Sequence, residues 1–567
     1  MKKRIFLLLL VAVSVALWSE YDERNVLRQQ AQRAAAQRNY EQADEIYRDM
    51  LKRDPSDYQI VENFVRNLFA QQKLTEAQAT LDQYASVLPP IVMQRLKLQL
   101  LLQQGKDDEA EKSVEEFLKT YPDRMNFYPA LATVYQSYKR LDNAANLLLR
   151  ARKYANNDHA YSYQLANIYF SAEKYPRAIA EYSDHLSQNK AYIHFVFNRF
   201  KTMLDADPSL IDVIFASRQT YGQPQNAEVI ARCLAYAGRL DEALAMYQNL
   251  APQQLLYFAD EQFSAGNYTI ALDAYRQYEA RASELFRKAD ARLKQAEVLM
   301  KMEEYPAAKK ALESIYNWKD IQKGNARNRT RANRLCRAHL AEIELRTTGD
   351  VAAAIQLLQE AVTFAYNGRQ RQELQMQVVD YLILDKQFDR AQQELASLRN
   401  NDEPGSDTYN QSYFSGFLLS LYRQDGQTDS LLVDLLVHLP QDPRTNDALS
   451  LAIFSEALSD SLRPVFLDAY RQRQLFRHGP ARDVLRRVAQ QGGTEEVRIL
   501  AVEWALEDNE PKEALELLNY EYADTTYADY AAVLRAELAK DKGAAVRDEL
   551  TRRADSVFAP LLRRRLQ

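Results

Sequence analysis

An alanine returns along this chain every 33 or 34 residues, at Ala43, Ala77, Ala110, Ala144 and Ala178, and brings its surroundings with it. Three residues before it stands Tyr40, Leu74, Asp107, Leu141 or Tyr175; four after it stands Tyr47, Leu81, Val114, Leu148 or Tyr182. Positions i, i+3, i+4 and i+7 share one face of an α-helix, so the frame predicts an amphipathic helix in every copy. Pro55, Pro89 and Pro122, twelve residues past the first three alanines, end that helix and open the next turn.

A second amphipathic segment precedes each of these helices. It is clearest in LATVYQSYKRLDNA (Leu131 to Ala144) and LANIYFSAEKYPRA (Leu165 to Ala178). Ala132 and Ala166 fall where two helices must approach closely, and Tyr135 and Tyr169 have the girth to fill the groove between neighbours. A short polar turn, such as the GKDDEA that begins at Gly105, joins the two helices. Each unit is a helix hairpin that cannot bury its apolar face alone, so neighbouring hairpins must stack.

This period, with its Gly, Tyr, Ala, aromatic, Ala and Pro series, resembles the tetratricopeptide repeat. The resemblance implies an all-α fold, a right-handed superhelical solenoid of helix hairpins. Composition agrees: only 14 glycines, 47% hydrophobic and 27% charged residues suit a helical chain with a core. Further copies center on Ala243, Ala271, Ala308, Ala354, Ala391 and Ala514. The nearly doubled interval before Ala243 holds a degenerate unit, and the polar stretch NWKDIQKGNARNRT before Ala354 reads as a loop or an extended helix end. The turn-rich NNDEPGSDTYNQ from Asn400 is the best internal boundary. The expected organisation is a regular array over 20–192, a diverged array over 193–400, and degenerate helical repeats with capping helices over 401–567.

The amino end carries Lys2, Lys3 and Arg4, then an apolar run from Ile5 to Trp18. That run has the length of a signal-peptide core and falls short of a comfortable membrane span, so residues 1–19 read as a signal peptide or an N-terminal anchor. Ser14 to Ala16 offer a small-residue cleavage pattern; an uncleaved end would attach the chain to the membrane. No cysteine follows the run to carry a lipid. Export to the periplasm or the outer membrane is the expectation. Cys233 and Cys336 stand too far apart in a repeat array for a disulfide and are expected to be buried and unpaired.

The sequence contains no constellation that would mark an enzyme. His159, His185, His194, His339, His438 and His478 form no H-E-x-x-H pair, and C-x-x-C, G-x-S-x-G, G-x-G-x-x-G and phosphate-loop patterns are missing. His185 and His194 are placed to approach one another across a hairpin. No metal and no cofactor is expected. A formal charge of -5 leaves no basic face for nucleic acid, and the run Arg563 to Arg565 reads as a solvated helix end.

The remaining role is binding. The resemblance implies that the first helix of each hairpin lines a concave surface, which places Asn63, Arg66, Arg95, Gln99, Thr133, Gln136, Tyr163, Gln164 and Asn167 there. These groups suit hydrogen bonds to an extended main chain or a glycan. The carboxylate clamp of some family members is broken, because Arg28 and Gln29, then Asn63, are followed by Leu96 where a basic residue belongs. Most of the tyrosines, among them Tyr40, Tyr47, Tyr268 and Tyr275, fall at packing positions. The chain therefore reads as a non-enzymatic protein-protein interaction scaffold of the bacterial cell envelope with protein partners. A glycan-binding surface protein and an accessory subunit of a cell-wall enzyme are the alternatives.

Overall fold

The computed structural model of the protein describes residues 24–323, 326–401, 405–539 and 541–565. The expected signal or anchor segment at 1–19 lies outside them. The described residues form helices and turns without a strand, and successive helices pack as pairs. None of the described helices is long and apolar enough to cross a membrane. The all-α architecture of tetratricopeptide-like hairpins is thus the observed one. The chain divides into two compact units between Leu250 and Ala251.

The first unit begins with a helix at 24–36 paired to Tyr40–Arg53, followed by Tyr58–Ala70 with Leu74–Gln83 and Pro90–Gln103 with Asp107–Thr120. Phe127–Ser137 with Leu141–Tyr154 and Ser162–Ser171 with Tyr175–Gln188 complete the regular series. The degenerate unit is a hairpin whose second helix, Leu210–Ala216, has shrunk to 7 residues and runs into a 3₁₀ turn at Ser217–Gln219. In the second unit the polar stretch before Ala354 is helical where described: Lys319–Lys323 is one short helix, and Ala326–Thr347 extends the next first helix to 22 residues. Helices Phe388–Asn401 and Asp407–Arg423, which flank 402–404, pack against each other inside this unit.

The repeating alanine is shut off from solvent in every one of these copies. Ala43, Ala77, Ala110, Ala144, Ala178, Ala243, Ala271, Ala308, Ala354, Ala391 and Ala514 are all 0% exposed. A methyl is the largest group that lets the backbones meet there, since interiors are packed to crystal-like density. The residue four positions later is buried as well, with Tyr182 and Tyr275 filling the space a small residue leaves open.

A second constraint recurs five residues before each alanine, at the bend between the paired helices. The backbone is left-handed at Gly105, Gly238, Gly266 and Gly349, with φ from 70° to 81°. It is also left-handed at Arg38, Gln72, Lys139, Glu173, Glu303, Lys386 and Asn509, none of them β-branched. This conformation reverses the chain and lets the next N–H reach back over the helix end, as in Arg140 N to Tyr135 O at 2.8 Å and Lys174 N to Tyr169 O at 2.9 Å. The pattern exposes one repeat that the alanine frame passed over. Phe476 has φ 58°, Arg477 N bonds Gln472 O at 3.0 Å, and Ala481 is fully buried five residues on. The signature there, FRHGPA, lacks the usual small or polar turn residue, which hid it.

A left-handed turn favours glycine, so Lys139→Gly should raise stability by up to about 1 kcal/mol and Gly105→Ala should lower it by a similar amount. An added Cβ at Gly105 meets nothing within 4 Å, so backbone strain is the only cost; at Gly349 it would also meet Arg477 at 2.9 Å, and Gly349→Ala should cost more. Thermal melting of the three variants against the parent checks the order.

Candidate functional site

The groups that resemble catalytic machinery are tied into the scaffold. His159 Nδ1 lies 2.6 Å from Asp184 Oδ1, and Ser162 Oγ bonds the other oxygen of the same carboxylate. A nucleophile needs its hydroxyl on the imidazole, with the acid behind the ring. Here the acid sits between the two, while Arg152 donates to Ser162 at 3.1 Å and grips Glu181 at 2.9 and 2.7 Å. The node stitches two successive hairpins. His185 and His194 do not meet: His185 lies against Tyr163 and Tyr192, and His194 Nδ1 faces Arg232 at 3.4 Å. Among the described residues no His, Cys, Asp or Glu group converges to hold a metal ion. Cys233 and Cys336 are unpaired and fully buried, and burial pushes both thiols up to about 12.

The nine residues expected on the groove divide into three groups. Asn63, Arg95, Gln99, Gln136 and Gln164 are partly or fully exposed, and their side chains make no hydrogen bond or ion pair with the described residues. Arg66 is exposed and turned onto Glu62 at 2.7 Å, and Thr133 Oγ1 donates to its own helix at Pro129 O. Tyr163 and Asn167 do internal work: Tyr163 packs on His185, Tyr192 and Phe195, while Asn167 accepts from Tyr182 at 2.8 Å and donates to Tyr163 O at 2.8 Å. Of the first helices that carry the exposed set, Tyr58–Ala70, Pro90–Gln103 and Phe127–Ser137 adjoin in series, and Gln164 is on the next, Ser162–Ser171. Leu96 is fully buried and Arg28 is held by Asp57 at 2.8 Å and Gln59 at 2.9 Å, so the carboxylate clamp lacks two of its members.

The position eleven residues before the alanine carries a distinction between the units. In the first unit it is occupied by Gln32, Arg66, Gln99, Thr133, Asn167 and Arg232. In the second it is Asp260, Glu297, Asp380 and Glu503, with Ile343 and Tyr470 in two other hairpins. Asp260 accepts from Tyr275 at 2.5 Å and Glu503 from Tyr530 at 3.0 Å. Burial raises the Glu503 pKa. Burial also lifts Glu297, yet His339 and Lys294 outweigh it and hold that carboxyl below its usual range.

Two of these carboxylates open into clefts. Glu297 and His339 line one of about 390 Å³, with Met300, Tyr305, Glu342 and Arg346. Asp380 lines another of about 520 Å³, with Ile383, Leu384, Phe414, Leu418 and Phe476 as its apolar walls and Arg444, Arg473 and His478 also on its lining. Segments about eighty or more residues apart close this second cleft. Arg471 Nη1 donates to Leu384 O at 2.8 Å, Lys386 meets Asp468 at 3.4 Å, and Arg477 Nη2 reaches Gly349 O at 2.9 Å. Asp380 is half-buried, its oxygens accepting from Ser415 at 2.6 Å and Gln411 at 2.7 Å. Burial raises its carboxyl to about 6 against those two bonds. The repeat frame locates Asp380 in the sequence; the fold-back that makes it part of a cleft has no local signal.

No family model matches the chain, and no curated protein does. Among solved structures, the Cut9 and Hcn1 hetero-tetramer of APC/C is similar at 15% identity over 76% of this chain and 96% of that one, with a TM-score of 0.28. Naa15/Naa10 bound to HypK-THB is similar at 12% identity over 96% of each chain, with a TM-score of 0.27. At those scores neither supports an argument about this chain.

Two outcomes follow from the buried groups. An aspartate titrates near 3.9 when unfolded, so the raised folded value means that the Asp380 proton stabilises the fold fully below pH 4, a contribution lost as pH rises through about 6. Asp380→Asn, which stays neutral, should therefore gain about 2–3 kcal/mol on the parent between pH 4 and pH 7, measured by urea unfolding at each pH. Native protein should leave both thiols unlabelled by a thiol reagent that modifies them promptly in denaturant.

Proposed function

We infer that the protein is a non-enzymatic interaction scaffold of the bacterial cell envelope, holding a protein partner along the first-helix face of its first unit. The carrying observation is the set Asn63, Arg95, Gln99, Gln136 and Gln164, amide and guanidinium groups aligned on successive repeats with no partner among the described residues. Such groups offer donors and acceptors at the spacing of the repeats, which suits the main chain of an extended segment. Export rests on the basic start and apolar run of residues 2–18, and the absence of a lipidation cysteine after it favours a periplasmic or peripheral location over a lipid-anchored one.

A second reading, glycan binding, has one observation in its favour. Tyr163, His185, Tyr192 and Phe195 form a partly exposed aromatic cluster beside Gln164. Sugars stack on such rings, but these rings are turned onto each other, so the polar row carries the first reading further.

Each hydrogen bond to a partner contributes about 0.5–1.5 kcal/mol, so changing Asn63, Arg95, Gln99 and Gln164 together to Ala should weaken partner binding at least tenfold. Crosslinked envelopes should yield one stoichiometric protein with the parent and lose it with the variant, at unchanged melting temperature. Recovery of the chain in the cytoplasmic fraction, or retention on a polysaccharide column that Tyr163→Ala abolishes, would count against the scaffold reading.

A further inference from the structure

We propose that the Asp380 cleft of the second unit is a binding site for an alkylammonium group, as presented by the side chain of lysine. The cleft is walled largely by apolar side chains, and Asp380, Arg444, Arg473 and His478 are the titratable groups that line it. Ile383, Leu384, Phe414, Leu418 and Phe476 supply hydrocarbon and aromatic walls that would cover a chain of methylenes. Asp380 supplies the only carboxylate lining the slot.

That carboxylate lacks a bonded cation. Its two partners, Ser415 and Gln411, are neutral donors, one on each oxygen. An ionised carboxylate has about four acceptor sites, so both oxygens retain capacity. The cations nearby are committed elsewhere. Arg444 is chelated by Asp442, at 2.8 Å on each oxygen, and by Asp407 at 2.7 Å. Arg473 is held by Asp508 at 3.1 and 3.2 Å and by Glu507. Arg444, Arg473 and Arg482 are thus shared among Asp407, Asp442, Glu507, Asp508 and Glu513, so that with Asp380 the carboxylates outnumber the guanidinium groups and the local field favours a cation. A carboxylate withdrawn from water is costly unless something pairs its charge.

The head group is an ammonium for a geometric reason. A guanidinium wants both oxygens free for parallel bonds, and here each already carries a donor. A compact ammonium with three donors can take one remaining site on Asp380 and another on the Gln411 amide oxygen, with Phe414 offering a ring face alongside. The fold-back bonds from Arg471, Lys386 and Arg477 fix the walls before any ligand arrives, which lowers the cost of binding. This inference is independent of the first-unit surface, and its failure leaves that reading unchanged.

The test is calorimetric titration of the full chain at pH 7.5 with n-pentylamine, with 1-pentanol as the neutral match, and with Nα-acetyl-lysine methylamide and 1,5-diaminopentane as the two sources. Saturable binding of the amine at least tenfold tighter than the alcohol, lost in Asp380→Asn, is the expected result. Tighter binding of the lysine amide than of the diamine identifies a protein segment as the source; the reverse order identifies a free diamine, and either keeps the ammonium site. Equal binding of amine and alcohol, or unchanged amine binding in the variant, overturns the proposal. The comparison of amine with alcohol needs no variant and holds if Asp380→Asn does not fold.

Discussion

The protein depends on a contact between two helices at one methyl group. Where Ala43, Ala178 or Ala271 stands, the partner helix comes so close that the side chain has no exposed surface. Everything else in the hairpin is placed by that approach. The buried residue four positions on fills the flank, the left-handed residue five positions back sets the reversal, and the residue eleven positions back is directed to the surface shared by successive first helices. A change in helix spacing at the alanine would move all three, because close-packed interiors transmit strain more readily than they absorb it.

Within that common frame the two units have been given different electrostatics. The residue eleven positions before the alanine is neutral or basic throughout the first unit, so Asn167 can serve as a hydrogen-bond hinge for Tyr182 while Gln99 remains open. In the second unit the same position is acidic in four hairpins, and each carboxylate is answered by a different group: a tyrosine hydroxyl at Asp260 and Glu503, a histidine and a lysine at Glu297, a serine and a glutamine at Asp380. Only the last is answered by neutral donors inside an apolar cleft, and the raised pKa of Asp380 is the physical trace of that imbalance. Toward the carboxyl end the arginines are balanced more fully. Arg473 and Arg482 share Asp508, and Arg482 also holds Glu513 at 2.9 Å, a network that ties helices Arg463–Gln474, His478–Gln490 and Pro511–Leu518 to the end of Glu495–Glu507.

Much of this was legible in the primary structure, and the failures have identifiable causes. The alanine frame located the hairpins from Ala43 to Ala391 because helix period and small-residue spacing are local properties. It missed Ala481, where Phe476 occupies the left-handed turn in place of a glycine or a polar residue, and it left the stretch before Ala354 open between loop and helix because its charges hide the period of Ala326–Thr347. Of the groove residues, Asn63, Gln99 and Gln164 lie open on first helices, whereas Asn167 and Tyr163 are engaged inside. Sequence spacing gives the face of a helix but does not tell whether a polar group there is met by the next helix.

By itself the sequence determined the hairpin, its length, its turn and the side of each helix that is buried, since all of these are set by interactions within about forty residues. The tertiary structure decided what lies between distant repeats. The meeting of Arg477, Arg471 and Asp468 with Gly349, Leu384 and Lys386 joins segments about eighty or more residues apart and closes the Asp380 cleft. That closure depends on how small rotations between successive hairpins add up, and no single hairpin encodes the sum.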